Sequence, residues 1–450
     1  MNKKVWRCKN RDFDLHLIII IIAVIPMVLI QSIKIVELHG HIFEYYDLYN
    51  SGKVITLNIL LIPVVLILYE KYRLLGTSIL TLNSKIYLAF VIWASISALI
   101  SPYKLNSLFG WPYRLQGAVT YGFYLVVYIF TEYCIDAKNI KKTLHWLLYS
   151  ASIISIYAVL QFYGIEPLTS LYGEYLDGGV HSTIGNRNFL GSYMCMVGAT
   201  SIFIYLKDEG KNSKCYFVVS NIVFIGLLVS QTRGAWLGYT GACLLILLLN
   251  KHTWQLIKAK VFLLVICMIL LTFLLDLTSQ GKLSGRLVNS IAEVESMQAG
   301  EISSLGSSRM YIYQRSLKIF LENPIFGTGP DNLAYFIDVT QEDAQKYFGR
   351  NFIIIDKAHS EYLEYATTMG FPGLLFYIWF VGRIMFKSYK QRLSFSSYQW
   401  GIFAGILGYL LQATFNIGSI SVMPIYFVFL GMLEKSVFTS TPNAVYKIIA

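Results

Sequence analysis

His359 stands in the run Lys357-Ala358-His359-Ser360-Glu361-Tyr362, where the longest polar loop of the chain meets an apolar stretch. Histidine is the side chain whose ordinary pKa lets it accept a proton near neutrality. Four arginines, Arg114, Arg187, Arg233 and Arg309, lie at other loop edges expected to face the same side. The planar guanidinium fork is well shaped for a phosphate or diphosphate. A base and several anion-binding forks at the border of hydrocarbon and water point to group transfer from an anionic lipid donor at a membrane surface.

Each position also has a plainer reading. Arg233, in Ser230-Gln231-Thr232-Arg233-Gly234-Ala235-Trp236, joins two apolar runs and could simply snorkel. It falls, however, on the side that basic residues avoid, where an ionisable group is costly and often functional. Arg309 follows Ser307-Ser308 at the expected start of a loop helix. A cation there opposes the helix dipole unless the arginine and the helix start face one anion; otherwise it points into water. Asn186 and Asn188 flank Arg187 and either cap the next span or bind sugar hydroxyls, with capping expected for at least one. Trp111 and Tyr113 beside Arg114 suit an interfacial aromatic belt or stacking on a sugar. Arg315 and Lys318 are expected to be solvated. Glu361 and Glu364 either share a helix face or, for Glu361, favour the dipole of a first turn. The polar run Tyr362-Leu363-Glu364-Tyr365 suggests a first turn lining a wet cavity. Gly327-Thr328-Gly329-Pro330-Asp331-Asn332 reads as a turn, because the strand-turn-helix context of a dinucleotide fingerprint is missing. No His, Cys, Asp or Glu spacing suits a metal, and no nucleotide motif occurs, so neither metal nor cofactor is expected.

The elements that must position these residues are membrane spans. Of 450 residues, 55% are hydrophobic and only 14% charged, against about a quarter charged in soluble domains. The fold class expected is an all-α polytopic bundle of about twelve spans, near 15–33, 55–70, 86–101, 118–135, 144–163, 189–206, 215–231, 234–250, 257–276, 361–382, 399–416 and 420–436. The first, after a basic start at residues 3–11, is too long for a signal-peptide core. With the N-terminus inside, 23 of the 37 basic residues fall on the inner side, and 8 of the other 14 sit in one loop, about 277–360. That asymmetry puts both termini in the cytoplasm and the long loop outside a cytoplasmic membrane. It also explains the net charge of +11 without nucleic acid. Within the loop, Tyr313, Leu317, Phe320 and Leu321 recur at helical spacing, Ser307 or Ser308 can cap the start, and Asn323-Pro324 ends the pattern. An amphipathic helix lying against the bundle is expected. The cysteines, Cys8, Cys134, Cys195, Cys215, Cys243 and Cys267, read as free thiols. The chain is expected to form one polytopic domain, 1–450, monomeric by default.

Four segments resemble the O-antigen ligase family of membrane glycosyltransferases, which includes O-antigen ligases, some polymerases and O-linked oligosaccharyltransferases. They are GNRNFLG at 185–191, SQTRGAWLG at 230–238, SSRMYIYQRSLKIFLENPIFGTGPDN at 307–332 and HSEYLEYATTMGFPGLLFY at 359–377. GWPYRLQG at 110–117 resembles a weaker upstream motif, and the likeness is sharpest over about 183–385. The resemblance implies inverting, metal-independent transfer of a glycan from a polyprenyl diphosphate to an acceptor hydroxyl on a glycan, lipid or protein. It implies that His359 is the general base and that Arg233 and Arg309 bind the diphosphate. Arg187 and Arg114 are further candidates for that role, with Asn186, Asn188 and Glu361 in support. A secondary transporter or flippase of lipid-linked glycans is the alternative; it would call for internal repeats and midplane charges, and neither is visible in the sequence.

Overall fold

The computed structural model describes residues 12–38, 41–75, 80–168, 179–286, 288 and 305–438. Cys8, His39, the basic start at 3–11 and residues 289–304 of the long loop lie outside them. The chain is an all-α polytopic membrane protein. Its helices are α1 (residues 12–24), α2 (Asn50–Leu75), α3 (Leu82–Ile100), α4 (Lys104–Phe109), α5 (Ala118–Cys134), α6 (Ala137–Phe162), α7 (Arg187–Lys207), α8 (Ser213–Val229), α9 (Arg233–Leu249) and α10 (Trp254–Thr278). They continue with α11 (Leu305–Glu322), α12 (Leu333–Phe336), α13 (Gln341–Phe348), α14 (Glu361–Gln391), α15 (Ser397–Gln412) and α16 (Met423–Phe438). Each of the twelve expected spans overlaps one of these helices. Six helices, at Asn50–Arg73, Leu82–Ile100, Lys138–Phe162, Arg187–Lys207, Lys251–Thr278 and Glu361–Ser394, are long and apolar enough to cross a membrane. The described cysteines are free thiols.

The apolar stretch of α7, residues 189–206, is wholly buried among its neighbours. Glycines let α15 reach it: a Cβ at Gly401 would come within 2.8 Å of the Thr200 carbonyl oxygen, and one at Gly405 within 2.8 Å of the Met196 oxygen. Small residues at such spacing allow backbones to approach closely in lipid, where the hydrophobic effect does not drive helix association. Gly238 of α9 packs on Gln412 of α15 in the same way. This packing brings the starts of α7 and α9 and the end of α15 to one end of the bundle.

The first expected span, 15–33, is corrected. α1 gives way to a 3-10 turn, Ile25–Met27, at Pro26, whose ring and missing N–H disrupt a helix. The chain is then extended. β1 (Ser32–Leu38) pairs antiparallel with β2 (His41–Asp47), Ile33 opposite Tyr46 and Leu38 opposite His41. Ile33, Ile35 and Glu37 alternate with Ser32, Lys34 and Leu38 at the strand period of two. Leu38 and Phe43 pack with Trp111 and Ala334 at the site-bearing end of the bundle.

The span expected at 361–382 is broken. Gly370 has φ 68° and ψ −176° inside α14, a region essentially confined to glycine. Phe371 precedes a proline, which disfavours helical backbone there, and Pro372 has no N–H to give Thr368. The freed carbonyls find other donors: Thr367 oxygen accepts from Thr328 N at 3.1 Å and Thr368 oxygen from Gly329 N at 2.8 Å. Phe371 N donates to the Pro324 oxygen at 2.8 Å. The turn after α11 thus fills the gap, and backbone polar groups at this depth are satisfied by protein. A Cβ at Gly370 would run into the Ile325 carbonyl. Gly370→Ala is therefore expected to cost at least about 1–3 kcal/mol in backbone strain before the clash is counted. A lowered melting midpoint in a size-exclusion thermal assay checks this; an unchanged midpoint refutes it.

Candidate active site

Two sets of buried charges hold the segment before α14. Arg114 Nε donates to Asp356 Oδ2 at 2.8 Å, and its guanidinium lies 5.0 Å from the ring centroids of Tyr113 and Phe189. Burial works against the charge on Asp356, yet Arg114 beside it holds the carboxyl below its usual range. One residue on, Lys357 Nζ donates to Asp331 and, at 3.2 Å, to Glu364 Oε1. Burial again opposes the charge, and Asp331 and Glu364 outweigh it, raising Lys357 to about 12. Glu364 also accepts from Ala358 N at 2.8 Å, while Asp331 accepts from Trp111 N at 2.6 Å and Gln116 N at 2.9 Å. Two consecutive residues are thus tied to three other segments of the fold, the loop at 110–117, the turn at 327–332 and the start of α14.

Held this way, His359 adopts φ 53°. Left-handed backbone is uncommon for non-glycine residues, though histidine tolerates it better than most. Its carbonyl accepts from the Tyr313 hydroxyl of α11 at 3.2 Å. The ring is half-buried. Burial pushes its pKa down to about 4, with Arg309, Arg114 and Lys357 acting in the same direction and Asp356 opposing them. The imidazole is therefore neutral at physiological pH, which is the state a proton acceptor needs. Arg309, half-buried, stands where helical backbone resumes after Ser308, which has φ 66°. Ser308 does not cap α11; its hydroxyl donates to the Tyr347 carbonyl.

The other expected residues meet at the same end. The Thr232 hydroxyl, beside half-buried Arg233, donates to the Arg187 carbonyl at 2.9 Å. Asn186 caps α7, its side chain accepting from Asn188 N at 2.8 Å. The Asn188 carbonyl accepts from Asn416 Nδ2 at 3.0 Å, and the Ala413 and Asn416 carbonyls accept from Glu361 N at 2.9 and 2.8 Å. Arg187 is exposed. A continuous path of contacts therefore joins the starts of α7, α9 and α14 through residues 413–416. Of the seven described non-glycine residues with positive φ, Leu115, Gln231, Ser308, Asp331 and His359 all lie within this assembly. Strained backbone persists where surrounding structure enforces it, and it gathers at functional sites.

Several expectations change. Trp111 is buried, so it is neither a belt residue nor a platform for a sugar. Arg114 is engaged by Asp356 rather than open to an anion. Glu361 faces inward, its carboxyl accepting from the hydroxyls of Tyr365 and Tyr377 at 3.0 Å each and from that of Tyr409. At the start of α14 the Glu361 and Glu364 carboxyls are buried and partnered by protein groups, while Tyr362 and Leu363 are half-buried. Arg315 pairs with Asp343 at 2.9 Å. The sequence gives Asp356 no role, and it marks Lys357, Asp331 and Tyr313 only as parts of a loop end, a turn and a helical stripe. The one available signal was the charge density of Asp356-Lys357 and Glu361-Glu364 around a span start, where ions are costly unless paired.

Among the described residues no three His, Cys, Asp or Glu side chains gather as a possible metal site. No curated protein matches the chain. A family model described as O-antigen ligase does match, over residues 218–378, a segment that contains Arg233, Arg309 and His359. Over that segment the chain is similar to the O-antigen ligase family, and its apolar helices make it a multi-pass membrane protein.

Proposed function

We propose that this protein transfers a glycan from a polyprenyl-diphosphate carrier to an acceptor hydroxyl at the outer face of the cytoplasmic membrane, with inversion and without a metal. The observation that carries the reading is His359, held in left-handed backbone by the Arg114–Asp356 and Lys357–Asp331–Glu364 contacts, within the segment that matches the O-antigen ligase model. His359 takes the proton of the acceptor hydroxyl. The acceptor oxygen bonds to the anomeric carbon, and the bond from that carbon to the diphosphate oxygen breaks with its electron pair. The lipid diphosphate leaves, and His359 releases its proton to water. Arg309 and Arg233 offset the charge that grows on the leaving group, an electrostatic effect strongest in a site that excludes water. Arg114 serves the site through Asp356. The break in α14 is filled by residues 324–329 and carries no charged side chain, which favours transfer over transport.

Reconstitution in lipid discs with polyprenyl-diphosphate repeat units tests the reading. A ladder of longer lipid-linked chains identifies a polymerase. Diphosphate release only after addition of a second acceptor identifies a ligase. Neither product, with folded protein, overturns the proposal. Arg309→Ala should lower kcat about 10²–10³-fold, the usual loss for one group that stabilises developing charge. Arg233→Ala should fall in the same range, and wild-type rates in both would remove the arginines from the mechanism.

The pH dependence has a definite sign. The base is the unprotonated imidazole, so activity falls as pH drops through the His359 pKa. In the free enzyme that acid limb should lie near pH 4, in kcat/KM. A bound diphosphate offsets Arg309, restores basicity to the ring and moves the limb in kcat to higher pH. Identical limbs in the two profiles would contradict a diphosphate bound beside His359.

A further inference from the structure

Of the α11 stripe expected to lie against the bundle, Leu317 and Leu321 face outward, while Tyr313 and Phe320 are half-buried. Tyr311, Ile312 and Ile319 are buried, whereas Leu317 is 48%, Leu321 67% and Ile325 55% exposed. Met310 continues this row. A large apolar row open to water is unusual in a folded protein unless it meets a partner.

The depth of this row follows from its contacts with α3. The span Leu82–Ile100 has 19 residues, or about 28 Å at about 1.5 Å per residue, close to the hydrocarbon thickness of a bilayer. Ile100 therefore lies near one edge of the hydrocarbon. Ser97 and Trp93 lie about 5 and 10 Å inside it. The Ser97 hydroxyl donates to the Phe326 oxygen at 2.6 Å and to the Thr368 oxygen at 3.1 Å. Trp93 stacks on Phe326 at 5.2 Å and donates to the Met369 oxygen at 2.8 Å. The neighbouring Thr367 hydroxyl donates to the Ser316 oxygen at 3.3 Å. The middle of α11 and the turn after it are thus both pinned about 5–10 Å below the edge. Phe371, exposed on α14 and joined through its N–H to the Pro324 oxygen at 2.8 Å, extends the apolar row onto a span. Lys318 and Glu322, an exposed pair 4.0 Å apart, each follow a stripe residue by one position, about 100° round the helix.

The geometry points to α11 as an interfacial helix: Met310, Leu317, Leu321 and Ile325 sit among the acyl chains of the leaflet on the site-bearing side, and Lys318 and Glu322 face water. Such helices bury an apolar face about 5–10 Å into the boundary between headgroups and chains, the depth reached here. The partner is the lipid itself, identified by depth and by continuity with the span surface. Seated this way, α11 carries Arg309 at headgroup level, and the inference stands whether or not the transfer proposal does.

The test uses the full chain in lipid discs, with its six cysteines replaced and a single bimane-labelled cysteine at 317, 321, 325, 318 or 322. Lipids brominated on their acyl chains should quench labels at 317, 321 and 325 at least several-fold more than those at 318 and 322. Aqueous iodide should give the reverse order. Iodide quenching of 317 and 321 equal to that of 318 would overturn the proposal. Shielding of 317 and 321 from both quenchers would also overturn it, because a protein partner would then cover the stripe. Three stripe positions keep the result readable if one variant misfolds.

Discussion

Replacing His359 with asparagine should lower glycan transfer by about 10²–10⁴-fold, the usual contribution of a positioned general base, while the protein stays folded. Asparagine is the informative choice because it accepts left-handed backbone at least as readily as histidine, so φ 53° can be kept. His359→Ala removes the same ring but adds backbone strain, and its loss of transfer should be at least as large. Donor binding should survive in the asparagine variant, because the arginines proposed to hold the diphosphate remain. Single-turnover assays with labelled donor separate the two effects. A His359→Asn protein that transfers glycan at the wild-type rate would end the assignment of the base.

Lys357→Met should be the most damaging change to stability near the site. Its ammonium lies between Asp331 and Glu364, and all three side chains are at most 6% exposed. Removing one member of a buried ion pair strands the partner charge and typically costs about 3–5 kcal/mol. Asp331 keeps the Trp111 and Gln116 N–H donors, and Glu364 keeps Ala358 N. Glu364 is the more weakly supported of the two, so adding Glu364→Gln to Lys357→Met should recover part of the loss. Double-mutant coupling between contacting residues usually falls between about 0.5 and 3 kcal/mol. Thermal midpoints of the single and double variants check this; additive losses would show that the pair is not coupled.

The sequence by itself determined the number and kind of the main elements. Each of the twelve apolar runs overlaps a helix, because a long run in lipid must satisfy its backbone internally, although the first gives way at Pro26 and the run at 361–382 breaks at Gly370. Asn323-Pro324 ended α11 and Asn186 capped α7, both through bonds or clashes among near neighbours. The break at Gly370 was legible in principle from Gly370-Phe371-Pro372, since glycine and proline act on local backbone. Only the tertiary structure decided what fills that break, which face of α11 is buried, and why the chain turns into a hairpin after Pro26. It alone decided that Glu361 is held by tyrosines from α14 and α15, that Arg114 serves Asp356 across the fold, and that Lys357 is clamped by Asp331 and Glu364. Hydropathy and propensity are properties of neighbours along the chain. The partner of a buried charge depends on which distant segment packs beside it, and in this protein glycine-mediated helix contacts and the inserted turn at residues 324–329 make that choice.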